Sequence, residues 1–225
     1  MTDTIITVRG EYSQWYPAER ATVHLEIRLD GPVRADVFSA ATDAAAHVRE
    51  SITEQSDPTS GPITWWSSGS VSVWWDRPWN NEGVQLEPVH HASVSFSVKF
   101  SDFDSLSTWL EKTASIDGAV VSGISWDLTD ATKASVTAEV RSRSVKDAVT
   151  KATIFAHSIG LGSVTAVALA DPGMLGDSSG HSPDVPSGRI MKASMMMADS
   201  GAAGLNLKPE EIEVASTVDA RFVAR

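Results

Sequence analysis

The feature that most constrains the fold is a rhythm. Apolar residues recur at every second position in some segments, and at every third or fourth position in the segments between them. A spacing of two places alternate side chains on opposite sides of a strand. Spacings of three and four place them on one stripe of a helix. Ala21, Val23, Leu25, Ile27 and Leu29 alternate with Thr22, His24, Glu26 and Arg28, which predicts a strand with one buried and one wet face. Ile6 and Val8 predict an earlier strand, ended by Gly10 and paired with the next as a hairpin around Pro17.

From Val33 to Ile52 the period changes. Val37, Ala40, Ala41, Ala44 and Val48 predict an amphipathic helix, begun near Asp30 to Pro32 and closed before Asp57–Pro58. Val71, Val73 and Trp75 then alternate, as do Ala92, Val94, Phe96, Val98 and Phe100; Asn80, Asn81 and Gly83 between them are turn residues. Ser101 or Asp102 is placed to cap a short helix carrying Phe103, Leu106, Leu110 and Ala114, which ends before Gly118. Ile124, Trp126 and Leu128 predict another strand.

Residues 131–159 carry two signals. Val136, Thr137 and Val140 favour strand by propensity, while Ala134, Ala138, Ala148, Ala152, Phe155 and Ala156 keep helical spacing; one long helix is expected, stopped by Gly160 and Gly162. Val164 to Leu169 predicts a strand, residues 171–188 a flexible Gly/Pro/Ser/Asp loop, and Arg189 to Met197 a strand leading out of it. Ile212, Val214, Val218, Ala220 and Phe222 line the last strand. Strands that follow one another in pairs close as hairpins. The expected class is α+β, a largely antiparallel sheet with helices packed on one face. At 225 residues the chain is expected to be one domain, divisible into intimate halves at about 1–128 and 129–225.

Function is less legible. With 18 basic against 29 acidic residues the net charge is −11, which disfavours nucleic acid and anionic membrane surfaces as partners. The absence of cysteine excludes disulfides and thiolate chemistry. No apolar run is long enough to span a bilayer, and the start lacks the features of a secretory signal, so the cytoplasm is expected. Gly176 to Gly180 reads GDSSG and precedes His181, but a nucleophile needs a base and an orienting acid held rigidly. Ser178, Ser179 and His181 on one loop do not offer that, so no enzyme activity and no catalytic residues are expected. His90 and His91 are neighbours on a strand and face apart, and the other histidines are scattered; no metal or cofactor is expected. Met195, Met196 and Met197 suit adaptable packing.

The tryptophans stand out. Five of the eight, Trp65, Trp66, Trp74, Trp75 and Trp79, lie within one predicted hairpin. Of Trp74 and Trp75, one is expected in the core and the other exposed. Core filling, a protein interface, a stacking platform for sugar and membrane contact all fit such residues. The leading expectation is a non-enzymatic protein that associates with itself through this segment. The alternative is a small-molecule or carbohydrate binding module built on the same cluster.

Five segments, in order, carry a resemblance. They are ITVRG ending at Gly10, YPAERATVHLEI from Tyr16 to Ile27, VSGISWDLTD from Val121 to Asp130, AHSIGLGSV from Ala156 to Val164, and PEEIEVASTVDARFV from Pro209 to Val223. Together they resemble the SIMPL-domain family over nearly the whole chain. That resemblance implies a bacterial protein with no established catalytic residues, a link to oxidative-stress defence, and assembly into large homo-oligomers in some members. It also implies helix for residues 131–143. The Trp-rich segment and the lack of a signal peptide depart from the pattern.

Overall fold

The computed structural model describes residues 3–175 and 207–225. Among these are eight strands and three helices: β1 (Thr4–Pro17), β2 (Arg20–Gly31), α1 (Arg34–Thr53), β3 (Ile63–Ser68), β4 (Ser72–Asp76), β5 (Val89–Phe100), α2 (Phe103–Thr113), β6 (Ala119–Asp127), α3 (Asp130–Ser158), β7 (Val164–Ala170) and β8 (Glu211–Ala224). The α+β class holds, and every ladder between named strands is antiparallel. The strands form two sheets, β1-β8-β7 and β3-β5-β2-β6, with β4 also on β5. These sheets belong to two compact units, one holding β1, α3, β7 and β8, the other β2 to β6 with α1 and α2. The predicted strand Arg189 to Met197 and most of the predicted loop, with Ser178, Ser179 and His181, lie outside the described residues.

In the first unit, β1 does not pair with β2. It pairs along its length with β8, from Thr4 opposite Ala224 to Pro17 opposite Glu211. Nor does Gly10 end the strand: it lies mid-ladder opposite Val218. Its missing side chain serves packing. A Cβ there would overlap the Ser144 carbonyl oxygen and sit 2.7 Å from the Ala148 nitrogen. The helix reaches the sheet this closely because its buried stripe, Val136, Val140, Ser144, Ala148, Ala152 and Ala156, repeats at four residues and turns small toward the middle. Beneath it lie Ile6, Val8, Ala220, Phe222 and Ala224. The buried Ser144 hydroxyl is 2.9 Å from the carbonyls of both Val140 and Ser216, sharing its proton between helix and sheet. Residues 131–143 are helical, as spacing predicted and propensity did not. The Thr129 side chain caps α3 by accepting from the Thr132 amide.

Charge ties the same unit together. Arg9 Nε donates to Asp219 Oδ1 at 2.7 Å, and the Gly173 amide donates to Oδ2 at 2.7 Å. The Arg9 hydrogen bond is the main reason that the Asp219 carboxyl falls below the ordinary aspartate value of 3.8. Asp147 is lowered too, first by Lys151 and then by the Glu11 amide. A carboxyl lowered in the folded state binds protons less readily there than in the unfolded chain. Its contribution is therefore complete above the unfolded value and fades as pH falls through the folded one. Asp219→Asn is expected to lower the melting temperature at neutral pH, and the gap from the parent is expected to close below about pH 4. Thermal unfolding across pH measures this; a gap unchanged in acid would contradict it.

In the second unit, alternation does what the sequence promised. Ala21, Val23, Leu25 and Ile27 of β2 and Val94, Phe96, Val98 and Phe100 of β5 are buried together, with α1 supplying Ala44, Ala45, Val48 and Ile52. Asp102 caps α2 by accepting from the Ser105 amide. The buried face of α2 is Leu106, Trp109, Leu110 and Thr113; of the residues that spacing placed on this face, Phe103 packs partly buried against the core, Ala114 is exposed, and Trp109 takes the buried position instead. The opposite face of the sheet carries the polar positions of each strand.

Candidate functional site

The Trp-rich segment is not a hairpin. ITWWSS forms β3, which sequence reading had not placed on a strand, and SVWWD forms β4. Both run antiparallel to β5, one after the other along its edge. Residues 69–71 bridge them, and the Gly69 amide donates to the Ser95 carbonyl at 2.8 Å. The hairpin is β4 to β5, the pair of strands that alternation and the turn residues Asn80, Asn81 and Gly83 predict, joined by residues 77–88.

Each tryptophan's place follows from its partner on β5, because paired residues share a face. Trp66 lies opposite the buried Val98 and packs against the core. Trp65 lies opposite Lys99 on the polar face, with the ammonium 5.7 Å from the ring centroid. Trp74 lies opposite His91, also on the polar face, and the two rings stack at 5.3 Å with 20° between planes. Trp75 lies opposite His90 on the helix-covered side. Sequence reading put one of Trp74 and Trp75 in the core; neither is there. The last same-face pair that α1 covers is Val73 with Ala92, against Val37 and Ala41. Trp75 is one step further along and is 60% exposed.

Beyond it the hairpin continues as an ordered arm. Asn80 Oδ1 accepts from the amides of Glu82 and Val84, and the Gly83 amide donates to the Asn80 carbonyl with Gly83 at φ 77°. Trp79 bridges to Gln85, and the Leu86 amide donates to the Pro78 carbonyl. This frame leaves Trp79 (66% exposed), Val84 (55%) and Leu86 (44%) open to solvent. Val84 and Leu86 were missed in the sequence, although their alternation around Gln85 directly after a turn was the available signal.

The polar face has its own architecture. His24 stands mid-sheet on β2, its Nε2 3.3 Å from Ser125 Oγ and its Nδ1 3.4 Å from Ser97 Oγ. At the end nearest β4, Arg28, Leu29, Asp30, Trp74, His91 and Ala92 line a cavity of about 360 Å³. His91 Nε2 lies 3.4 Å from Asp76 Oδ1. Arg28 lies 2.7 Å from Glu26, whose hydrogen bond raises the guanidinium pKa above its usual value. Among the described residues no three His, Asp or Glu side chains converge as a metal site, and no helix is long and apolar enough to cross a membrane.

The five resembling segments lie in both units of this fold. They cover β1 up to Gly10, the passage from β1 to β2, the end of β6 with the α3 cap, the end of α3 entering β7, and β8. The sequence model of the SIMPL family, described as "Protein of unknown function (DUF541)", matches residues 6–222. The chain belongs to the SIMPL family. No curated protein matches it. The SIMPL match runs across both units, so β1 and β8, which pair with each other, mark the two ends of the family domain. The aromatic arm and the polar face both lie within the matched SIMPL residues.

Proposed function

We propose that this SIMPL protein is a non-enzymatic, self-associating protein with a stress-related or scaffold role. The observation that carries the reading is the arm: Trp75, Trp79, Val84 and Leu86 are exposed on a hairpin end held by its own hydrogen bonds. Exposed tryptophans and large aliphatic side chains on one ordered segment are characteristic of interfaces. A pre-ordered loop loses little entropy on docking. The occupant is a second copy of the chain. With a net charge of −11, copies repel at long range, so association rests on short-range apolar burial and tightens with salt. Sedimentation at micromolar concentration is expected to give a mass above the 24.0 kDa monomer, with more assembly in added salt. A monomer under both conditions contradicts the reading.

The stacked Trp74–His91 pair faces the other way, over the polar sheet face, and favours a second reading: binding of a small molecule or carbohydrate there.

A further inference from the structure

We infer that the polar end of the five-stranded sheet binds a neutral sugar, seated on Trp74 and hydrogen-bonded by Asp30 and Arg28. This rests on the second reading above and names its ligand and its contacts. Pairing across three strands builds a small grid. Trp74 of β4, His91 of β5 and Asp30 of β2 form one row; Ser72, Ser93 and Arg28 form the next on the same face. Strand spacing and rise make this grid roughly 10 Å by 7 Å, about the footprint of one or two pyranose rings. The cavity of about 360 Å³ here has Trp74, His91, Asp30 and Arg28 among its walls, and its volume is within the range of about 300–1,000 Å³ typical of small-ligand sites.

The chemistry selects among ligands. An indole offers an apolar plane to the C–H face of a sugar. Asp30 accepts only, Arg28 donates only, and Ser72 and Ser93 do both. A ring of hydroxyls, each donor and acceptor, meets all of them. An anion would face Asp30, Asp76 and Glu26, with the nearby cation Arg28 already paired to Glu26 at 2.7 Å. A neutral ligand has no such opposition. The imidazole of His91, set by its stack on Trp74 and its contact with Asp76, holds the indole in place.

The test uses the full chain against an immobilised panel of neutral glycans, with choline and inorganic phosphate titrated in solution by tryptophan fluorescence. At least one neutral glycan is expected to bind. Trp74→Ala and Asp30→Asn are each expected to weaken it about tenfold or more, while thermal unfolding shows both variants folded. Trp74→Phe, which keeps an aromatic plane, is expected to retain more affinity than Trp74→Ala. If choline or phosphate binds through these residues and no glycan does, the sugar assignment falls while a ligand site remains. If nothing binds, or binding ignores both substitutions, the site itself falls.

Discussion

Gly10→Ala is expected to destabilise the protein by at least about 3 kcal/mol, the upper end of the usual cost of overpacking. The added Cβ meets backbone, the Ser144 carbonyl and the Ala148 amide nitrogen, and not a side chain that can swing away. Relief would require α3 to lift from β1, exposing Ala148 and Ala152 and parting Ser144 from Ser216. Gly123 on β6 supplies the contrast, because nothing lies within 4 Å of a Cβ built there. Gly123→Ala is expected to change stability by less than about 0.5 kcal/mol. Chemical denaturation of the two variants separates the readings: equal effects would mean that Gly10 is an ordinary strand residue.

Trp109→Ala is expected to cost about 3–5 kcal/mol, as large-to-small changes of a buried aromatic do. Trp109 is among the largest fully buried side chains. Its ring lies 5.4 Å from that of Phe100, and its Nε1 donates to Ser51 Oγ at 3.0 Å, joining α2 to β5 and α1. Trp109→Phe keeps most of the volume and loses the hydrogen bond, so about 1–2 kcal/mol is expected. Ser51 still donates to the Val48 carbonyl at 2.8 Å, which limits that loss. Urea unfolding of both variants gives the comparison; a Trp109→Ala protein as stable as the parent would show that α2 is not part of this core.

What the sequence disclosed was local. β2 and β5 were visible because one face is buried and the other wet along their length, so alternation is uninterrupted. The Asp102 cap and the long α3 were visible for the same kind of reason: each signal closes within a few residues. What stayed hidden depended on residues far apart. The partner of β1 lies some two hundred positions away, and a hairpin around Pro17 was the nearest alternative. Gly10 carries no mark that distinguishes a strand end from a helix seat. β3 was hidden because ITWWSS is short and its register slips between Ile63 and Trp65. The Trp segment was recognised as the place to look, but the role of each ring was set by where α1 stops covering the sheet. That is why Trp75 is exposed when the pattern of β4 assigns it to the covered side, and why the sequence did not single out Arg28 and Asp30 beside Trp74.

The central claim is that copies of this chain meet through the aromatic arm. Light scattering on the parent and on the Trp75→Ser, Trp79→Ser double variant, at the same micromolar concentration, tests it most directly. Both rings are exposed in the single chain, so the variant is expected to fold with an unchanged melting temperature. The predicted result is a parent mass at a multiple of 24.0 kDa and a variant mass close to 24.0 kDa. A parent already at the monomer mass, or a variant that keeps the parent's assembly, would contradict the account.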